Sequence, residues 1–174
     1  MKLTPSMERF VLHWGEMGTR WGVNRSVAQI HALLYLSPEP ITAEEIAETL
    51  SIARSNVSTS LKELASWDLV KRVHVMGDRR ERFATETDTW ETLIRVVEGR
   101  KRREIDPTLT MLRDCAIEAA NDRQTDPEVR ARIDTMLEFV ETLSVWYEQV
   151  NKLPRKTLHA LVRMGAKVAR FVGA

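Results

Sequence analysis

The sequence predicts a mainly α-helical chain carrying one two-stranded β-hairpin, and three observations predict it. Apolar residues recur every three or four positions through most of the 174 residues, the period of one helix face. Gly and Pro, at 7 and 6 residues, are too scarce for a loop-rich or all-β design. Only after Asp68 does the period shorten towards two, with a turn signal behind it.

The first helix is expected over Met7 to Trp21, where Phe10, Val11, Trp14, Met17 and Trp21 form a stripe that Gly22 stops. Asn24 is placed to cap a second helix over Arg25 to Leu36, with Val27, Ile30, Leu33 and Leu34 inward. Ser37 to Pro40 is a turn signal. Thr42 starts the next helix: its hydroxyl and the Glu45 carboxylate three residues on can satisfy each other's free amides as a capping box. Ile46, Ala47 and Leu50 supply the buried face of this short helix. After Ser51 to Ala53 another helix runs from Arg54 to Trp67 with Val57, Leu61 and Leu64 inward. In LVKRVHV the residues become β-prone, Gly77 and Asp78 sit at or near a tip, and Arg82 to Thr85 return as the second strand. Four helical patterns follow, about Asp88 to Arg103, Pro107 to Asn121, Pro127 to Asn151 and Pro154 to Val172. Proline is tolerated at a first helical position, and Asp126 is a good cap for the third of these. On that third helix Val129, Ile133, Met136, Leu137, Val140, Leu143, Tyr147 and Val150 are expected on one face, and on the last Leu158, Leu161, Val162, Gly165, Val168 and Val172.

Three helices followed by a hairpin is the order of a winged helix-turn-helix unit, here expected over residues 1–87. Residues 88–174 are then a long C-terminal helical region. Ala47 is small where the two helices of the helix-turn-helix cross, and Leu50 and Ile52 plug the turn. With Val57, Leu61 and Leu64 facing inward, Arg54, Ser55, Asn56, Ser58, Thr59 and Lys62 face out. Short hydroxyls let a helix approach a major groove closely, and an arginine can reach a guanine edge. Thr42 joins this set as a residue beside the groove. Arg79, Arg80 and Arg82 lie at or beside the hairpin tip, where they can reach a flanking minor groove or the phosphate backbone.

Bulk charge alone does not select nucleic acid, since the net charge is +1. Its distribution is more informative: residues 51–83 carry seven basic and four acidic side chains, while the helix before them carries Glu44, Glu45 and Glu48. No apolar run is long enough to span a bilayer and the first ten residues lack the apolar core of a secretory signal, so a cytoplasmic protein is expected. Cys115, the single cysteine, falls on a helical stripe and is expected to be a small buried apolar residue. His13, His31, His74 and His159 show no metal-ligand spacing, and there is no phosphate-cradling glycine loop or nucleophile elbow. An enzyme is therefore not expected, nor a cofactor or metal. The rival to nucleic-acid binding is a winged helix recruited to bind another protein, without DNA.

The run from Ala53 to Trp90 resembles the glycine betaine synthesis regulator branch of the MarR superfamily. The positions that carry the resemblance are Arg54, Asn56, Val57, Ser58, Leu61, Glu63, Leu64, Trp67, Leu69, Val70, Gly77, Asp78 and Arg79. Two positions depart from the pattern: Ser51 stands where a turn glycine is usual, and Ala53 where a capping serine is usual. The lost cap costs on the order of 1 kcal/mol. The resemblance implies a homodimeric transcription regulator, acting on double-stranded DNA near its own gene and in some members answering to a small-molecule effector. A dimer built through the long helical tail would set two recognition helices about one DNA turn apart, matching a pseudo-palindromic operator. Repression is the expected mode. Trp14, Trp21, Trp90, Trp146 and Tyr147 are aromatic faces that a cationic effector could use, though core packing is the commoner use of such residues. Arg100 to Arg103 and Lys152, Arg155, Lys156, Arg163, Lys167 and Arg170 make the tail locally basic.

Overall fold

A computed structural model describes residues 1–171, and the side chains of 1–168; Val172 and the side chain of Arg170 lie outside that range. The chain divides into two compact units, Met1–Gly99 and Arg100 onward.

In the first unit, helix α1 (Pro5–Arg20) starts with the Thr4 hydroxyl accepting from the Met7 amide, and α2 (Arg25–Leu36) with the Asn24 carboxamide accepting from the Ser26 amide at 2.8 Å. The two helices cross where Gly18 is buried against Ala28, a contact so close that a methyl group on Gly18 would lie 2.5 Å from the Ala28 Cβ. Strand β1 (Ile41–Thr42) leads into α3 (Ala43–Leu50), α4 (Arg54–Ser66) follows, and β2 (Val70–Val73) and β3 (Arg82–Thr85) form the hairpin. Helix α5 (Thr89–Arg100) closes the unit.

The capping box at α3 is complete: the Glu45 amide donates to the Thr42 hydroxyl at 3.2 Å, and the Thr42 amide to the Glu45 carboxylate at 2.7 Å. One core holds these elements together, with Ile30, Leu33, Ile46 and Val57 fully buried and Leu61, Leu64 and Phe83 around them. Leu50 and Ile52 pack against it as the plug of the α3–α4 turn.

The sheet has three strands, not the two of a simple hairpin. β1 pairs antiparallel with β3, Ile41 opposite Phe83, so the strand order is β1-β3-β2. Two residues are too short a run to show a period of two, which is why this strand is invisible to a pattern reading. It anchors the inner strand of the hairpin to the start of α3. At the other end, Arg95 of α5 donates to the Asp68 carbonyl at 2.7 Å and pairs with Glu86 and Glu91, tying α5 to the turn before β2.

In the second unit a π-helical segment, Lys101–Ile105, precedes α6 (Asp106–Asn121); α7 (Pro127–Asn151) and α8 (Arg155–Met164) follow. The widened π turn comes just before Pro107, which has no N–H to give to a tighter helix. Asp126 caps α7, its carboxylate accepting from the Glu128 amide at 2.7 Å. The last helix is shorter than its apolar stripe implied. Gly165 takes a positive φ of 51°, which ends α8, and a 3-10 segment runs on to Phe171. Helix α7 also splits its apolar residues between two faces. Ile133, Leu137, Val140 and Tyr147 are half-buried around the buried Ser144, whereas Val129, Met136 and Leu143 are exposed. Cys115 is half-buried, its thiol 3.6 Å from the Met111 sulfur.

Candidate nucleic-acid interface

Helix α4 presents the residues that the helical spacing assigns to its outer face. Arg54, Ser55, Asn56, Ser58, Thr59 and Lys62 are all exposed, while Val57, Ser60, Leu61 and Leu64 are buried beneath them. Their freedom differs. Ser55, Ser58 and Lys62 have no side-chain partner among the described residues. The Thr59 hydroxyl donates back to the Ser55 carbonyl at 3.1 Å, and Arg54 lies 3.9 Å from Glu44 with both side chains largely in solvent. An exposed pair at that distance is worth little and yields readily to a competing anion.

Asn56 is tied inward. Its amide donates to the Ser26 hydroxyl at the start of α2, at 2.9 Å, and its carbonyl oxygen accepts from the buried Ser60 hydroxyl at 3.4 Å. It sets the position of α4 against α2 and does not stand free beside Arg54. Thr42 is a clear correction to the expected set. Only 1% of it is exposed, and its hydroxyl is used by the α3 cap, so it cannot touch a groove.

The start of α4 is where the two sequence departures show their effect. Ser51 sits in the left-handed region at φ 53°, ψ 43°, the conformation for which glycine is the usual residue. Ala53 occupies the N-cap of α4 in an extended conformation, with no side chain able to cap it.

On the hairpin the arginines fall into three kinds. Arg82 is mostly covered: it donates to the Pro40 carbonyl at 2.9 Å and to the Asp78 carboxylate at 2.9 and 3.1 Å. It lashes the hairpin to the loop before β1, and it too leaves the expected contact set. Arg80 is exposed but bidentate on Asp78, at 2.9 and 3.0 Å, with its amide on the same carboxylate. These bonds, from the Arg80 side chain and amide first and from Arg82 next, hold the Asp78 carboxyl well below the usual carboxylate range. Arg79 is exposed and has no partner among the described residues. Arg72, on β2, pairs with Glu81 at 3.0 Å.

Helix and hairpin meet over one open cleft of about 500 Å³, lined by Ser58 and Lys62 from α4, Arg72, Arg80 and Glu81 from the hairpin, and Glu44 from α3. The polar helix face and the basic finger therefore project from the same side of the unit. Arg72 belongs to this lining although its place on a strand interior gave no reason to prefer it over Lys71. The three-strand register settles the choice, since it turns the Arg72 side chain towards α4.

Four aromatic residues of the first unit are spent on packing. Phe10 stacks on Trp14 with ring centroids 5.4 Å apart and on Tyr35 at 6.4 Å, and Trp67 covers Gly99. Trp21 is exposed. Among the described residues no three His, Cys, Asp or Glu side chains are close enough to hold a metal ion, and no helix is long and apolar enough to cross a membrane.

Residues 21–81, which hold α2 to the hairpin, match the family model described as MarR family. Among curated proteins, the chain is 21% identical over 136 residues to the HTH-type transcriptional repressor GbsR of Bacillus subtilis (strain 168), covering 76% of this chain and 75% of that one. It is 18% identical over 136 residues to the HTH-type transcriptional repressor OpcR of the same organism, covering 76% and 74%. Among solved structures, one described as the crystal structure of a transcriptional regulator superposes with a TM-score of 0.65 at 22% identity, over 83% of this chain and 95% of the other, so the two share a fold.

Proposed function

We propose that this chain, a GbsR/MarR-like winged helix protein, is a cytoplasmic transcription regulator that binds duplex DNA as a homodimer and represses its target. The observation that carries the reading is the shared cleft: Ser58 and Lys62 of α4 and Arg72 and Arg80 of the hairpin line one open face. On a duplex, α4 would enter the major groove with its N-terminal turn nearest the bases, as helix-turn-helix geometry requires. Arg54 is then placed for a guanine edge, Ser55, Ser58 and Thr59 for base edges or phosphates, and Lys62 for phosphate. Arg79, and Arg80 alongside its carboxylate, serve the flanking groove. Thr42, Asn56 and Arg82 hold these parts in place from behind. The repressor names of GbsR and OpcR support the sign of regulation, and two copies on a pseudo-palindromic operator follow from the two-fold symmetry such dimers share with their sites. A small molecule that alters this binding completes the reading.

The test is a titration of the duplex upstream of the gene, and of random duplex, at two salt concentrations. Association should fall steeply with salt, by roughly 0.9 in log K per log salt for each phosphate neutralised. Arg54→Ala should remove about 1–3 kcal/mol of discrimination between the two duplexes. Arg79→Ala should weaken both about equally and reduce the salt slope by about one. A winged helix that binds only protein would show no salt-steep association with either duplex, and that result would end the proposal.

A further inference from the structure

Between α6 and α7 lies an open cleft of about 550 Å³, built wholly within the second unit. Helix α6 gives it one wall through Asp106, Leu109 and Arg113, and α7 the other through Glu141, Ser144, Val145 and Glu148. Seven positions separate Asp106 from Arg113 and Glu141 from Glu148, so the charged ends of the cleft stand about 10 Å apart, with Leu109 and Val145 between them. At one end the Lys101 ammonium, brought in by the π-helical segment, meets Asp106 at 2.6 Å and Glu148 at 3.3 Å. Asp106 first, and Glu148 with it, raise the pKa of that ammonium. At the other end Arg113 puts both of its contacts, at 2.8 and 2.9 Å, on a single oxygen of Glu141. Three carboxylates against two cations leave one negative charge in excess.

The floor of the cleft carries an unanswered polar group. Ser144 is only 8% exposed, and its hydroxyl has no partner among the described residues. Thr110 on the facing helix shows the usual use of a helical hydroxyl, a bond back to the Asp106 carbonyl one turn earlier, at 3.1 Å. Without such a bond the Ser144 hydroxyl is desolvated and unsatisfied, and a ligand that hydrogen-bonds to it gains accordingly. We infer that this cleft binds a small protonated aliphatic amine; it is the site of the small molecule that alters duplex binding, and in that respect the inference rests on the reading above. Lys101 shows where an ammonium sits. Its contact with Glu148 is the longer of the two, so a second ammonium can take up Glu148 from the cleft side and donate to the Ser144 hydroxyl one turn away, leaving Lys101 on Asp106. Its single positive charge cancels the excess negative one. The methylene chain then lies on Leu109 and Val145, towards the Arg113–Glu141 pair. A quaternary ammonium has no N–H and can make neither bond, and among the described residues no aromatic ring lines the cleft to hold it otherwise. The cleft side of α7 is about half a turn around the helix from the exposed Phe139 and Trp146, so a partner on that apolar side leaves it open.

The test is a calorimetric titration of the full-length chain without DNA, at constant ionic strength, with n-butylammonium chloride as the probe. It should bind saturably with roughly millimolar affinity, the scale open to so small a ligand. Glu148→Gln, at an exposed position that does not endanger the fold, should weaken it about tenfold, and Ser144→Ala about fivefold. Lys101→Ala removes the resident ammonium and should tighten binding about tenfold, a gain that a merely structural lysine would not give. Glu128→Gln, which alters the Arg132 pair away from the cleft, should change nothing. Heat no larger than the dilution blank in both the parent and Lys101→Ala would overturn the inference. So would an affinity that ignores Glu148→Gln and Lys101→Ala, or tetramethylammonium binding as tightly as butylammonium. Duplex is then titrated with and without saturating butylammonium at matched salt. A shift in duplex affinity of about fivefold or more supports the regulatory role, and no shift overturns it. Selective duplex binding by a chain that takes no amine would remove this site and leave the regulator standing; saturable amine binding by a chain that takes no duplex would do the reverse.

Discussion

The turn between α3 and α4 gives a sharp prediction, because two of its residues are poorly matched to the backbone they occupy. Ser51 is left-handed at φ 53°, ψ 43°, which costs a residue with a Cβ about 1–2 kcal/mol relative to its relaxed conformations. Its side chain has no partner among the described residues, so replacing it sacrifices no bond. Ser51→Gly removes that strain but loses about 0.5–1 kcal/mol to the greater freedom of glycine in the unfolded chain. A net gain of about 1 kcal/mol remains. Ala53→Ser acts two residues later. The extended conformation of Ala53, φ −64°, ψ 141°, already suits an N-cap, and a hydroxyl there would accept from the Ser55 or Asn56 amide, for about 1 kcal/mol more. Because the two positions share one turn, their sum of about 2 kcal/mol is an upper bound for the double variant.

Urea unfolding followed by tryptophan fluorescence reads the gain. With a slope of about 2 kcal/mol per molar, each single variant should move the midpoint up by about 0.5 M without changing the slope. Amide exchange adds a local readout, since the Asn56 amide should slow in Ala53→Ser and stay as it was in Ser51→Gly. If Ser51→Gly lowers the midpoint, the left-handed assignment is wrong. If Ala53→Ser leaves both midpoint and exchange unchanged, the helix starts elsewhere.

Two further outcomes follow from the core. His31 is buried, its Nε2 without a hydrogen-bond partner among the described residues, and burial lowers its pKa from 6.5 to about 4, so it is neutral in the folded chain at pH 7. Its folded pKa lies below the unfolded one, so stability is full above pH 6.5 and falls towards pH 4, as only the unfolded chain takes the proton. The loss is about 3 kcal/mol at most across that window, and urea midpoints at pH 7.5 and 5 should converge in His31→Gln relative to the parent. Gly18→Ala should destabilise by about 1–3 kcal/mol despite the better helix propensity of alanine, because the new methyl group meets the Ala28 Cβ at 2.5 Å and both belong to helix backbones that must part; a raised or unchanged melting temperature would contradict this.

Much of this fold is legible because its signals are local. The bounds of α2 and α7, the Thr42–Glu45 box and the Asp126 cap each depend on residues within one turn, and the structure has them where the spacing puts them. What escaped a sequence reading is what depends on partners far along the chain. Strand β1 exists only because Ile41 lies opposite Phe83, forty-two residues away. The apolar period of α7 cannot say which of two adjacent stripes meets α6, so Val129, Met136 and Leu143 went to the wrong one. Among the site residues, exposure follows from helical period and is correct for α4. Whether an exposed polar side chain is already engaged does not, and Asn56 bonded to Ser26 is the case in point.

The hairpin shows the same distinction in its charges. A count gives three tip arginines, yet Asp78 holds two of them and, among the described residues, Arg79 has no partner. Asp78 thus has two functions: through Arg82 it fastens the hairpin to the Pro40 loop, and through Arg80 it masks a positive charge on the face that lines the cleft. Asp78→Asn separates them. The amide still accepts a hydrogen bond from Arg82, so the hairpin stays, but Arg80 loses its counter-charge. Random duplex should then bind more tightly, with a salt slope steeper by about one, while discrimination against it shrinks. Because the Asp78 carboxyl is held below the usual carboxylate range, it is ionised throughout pH 5–8, so the parent should not acquire the variant's behaviour anywhere in that interval. A variant with the parent's salt slope would mean that Arg80 does not face the duplex, and that the wing contact is made by Arg79 alone.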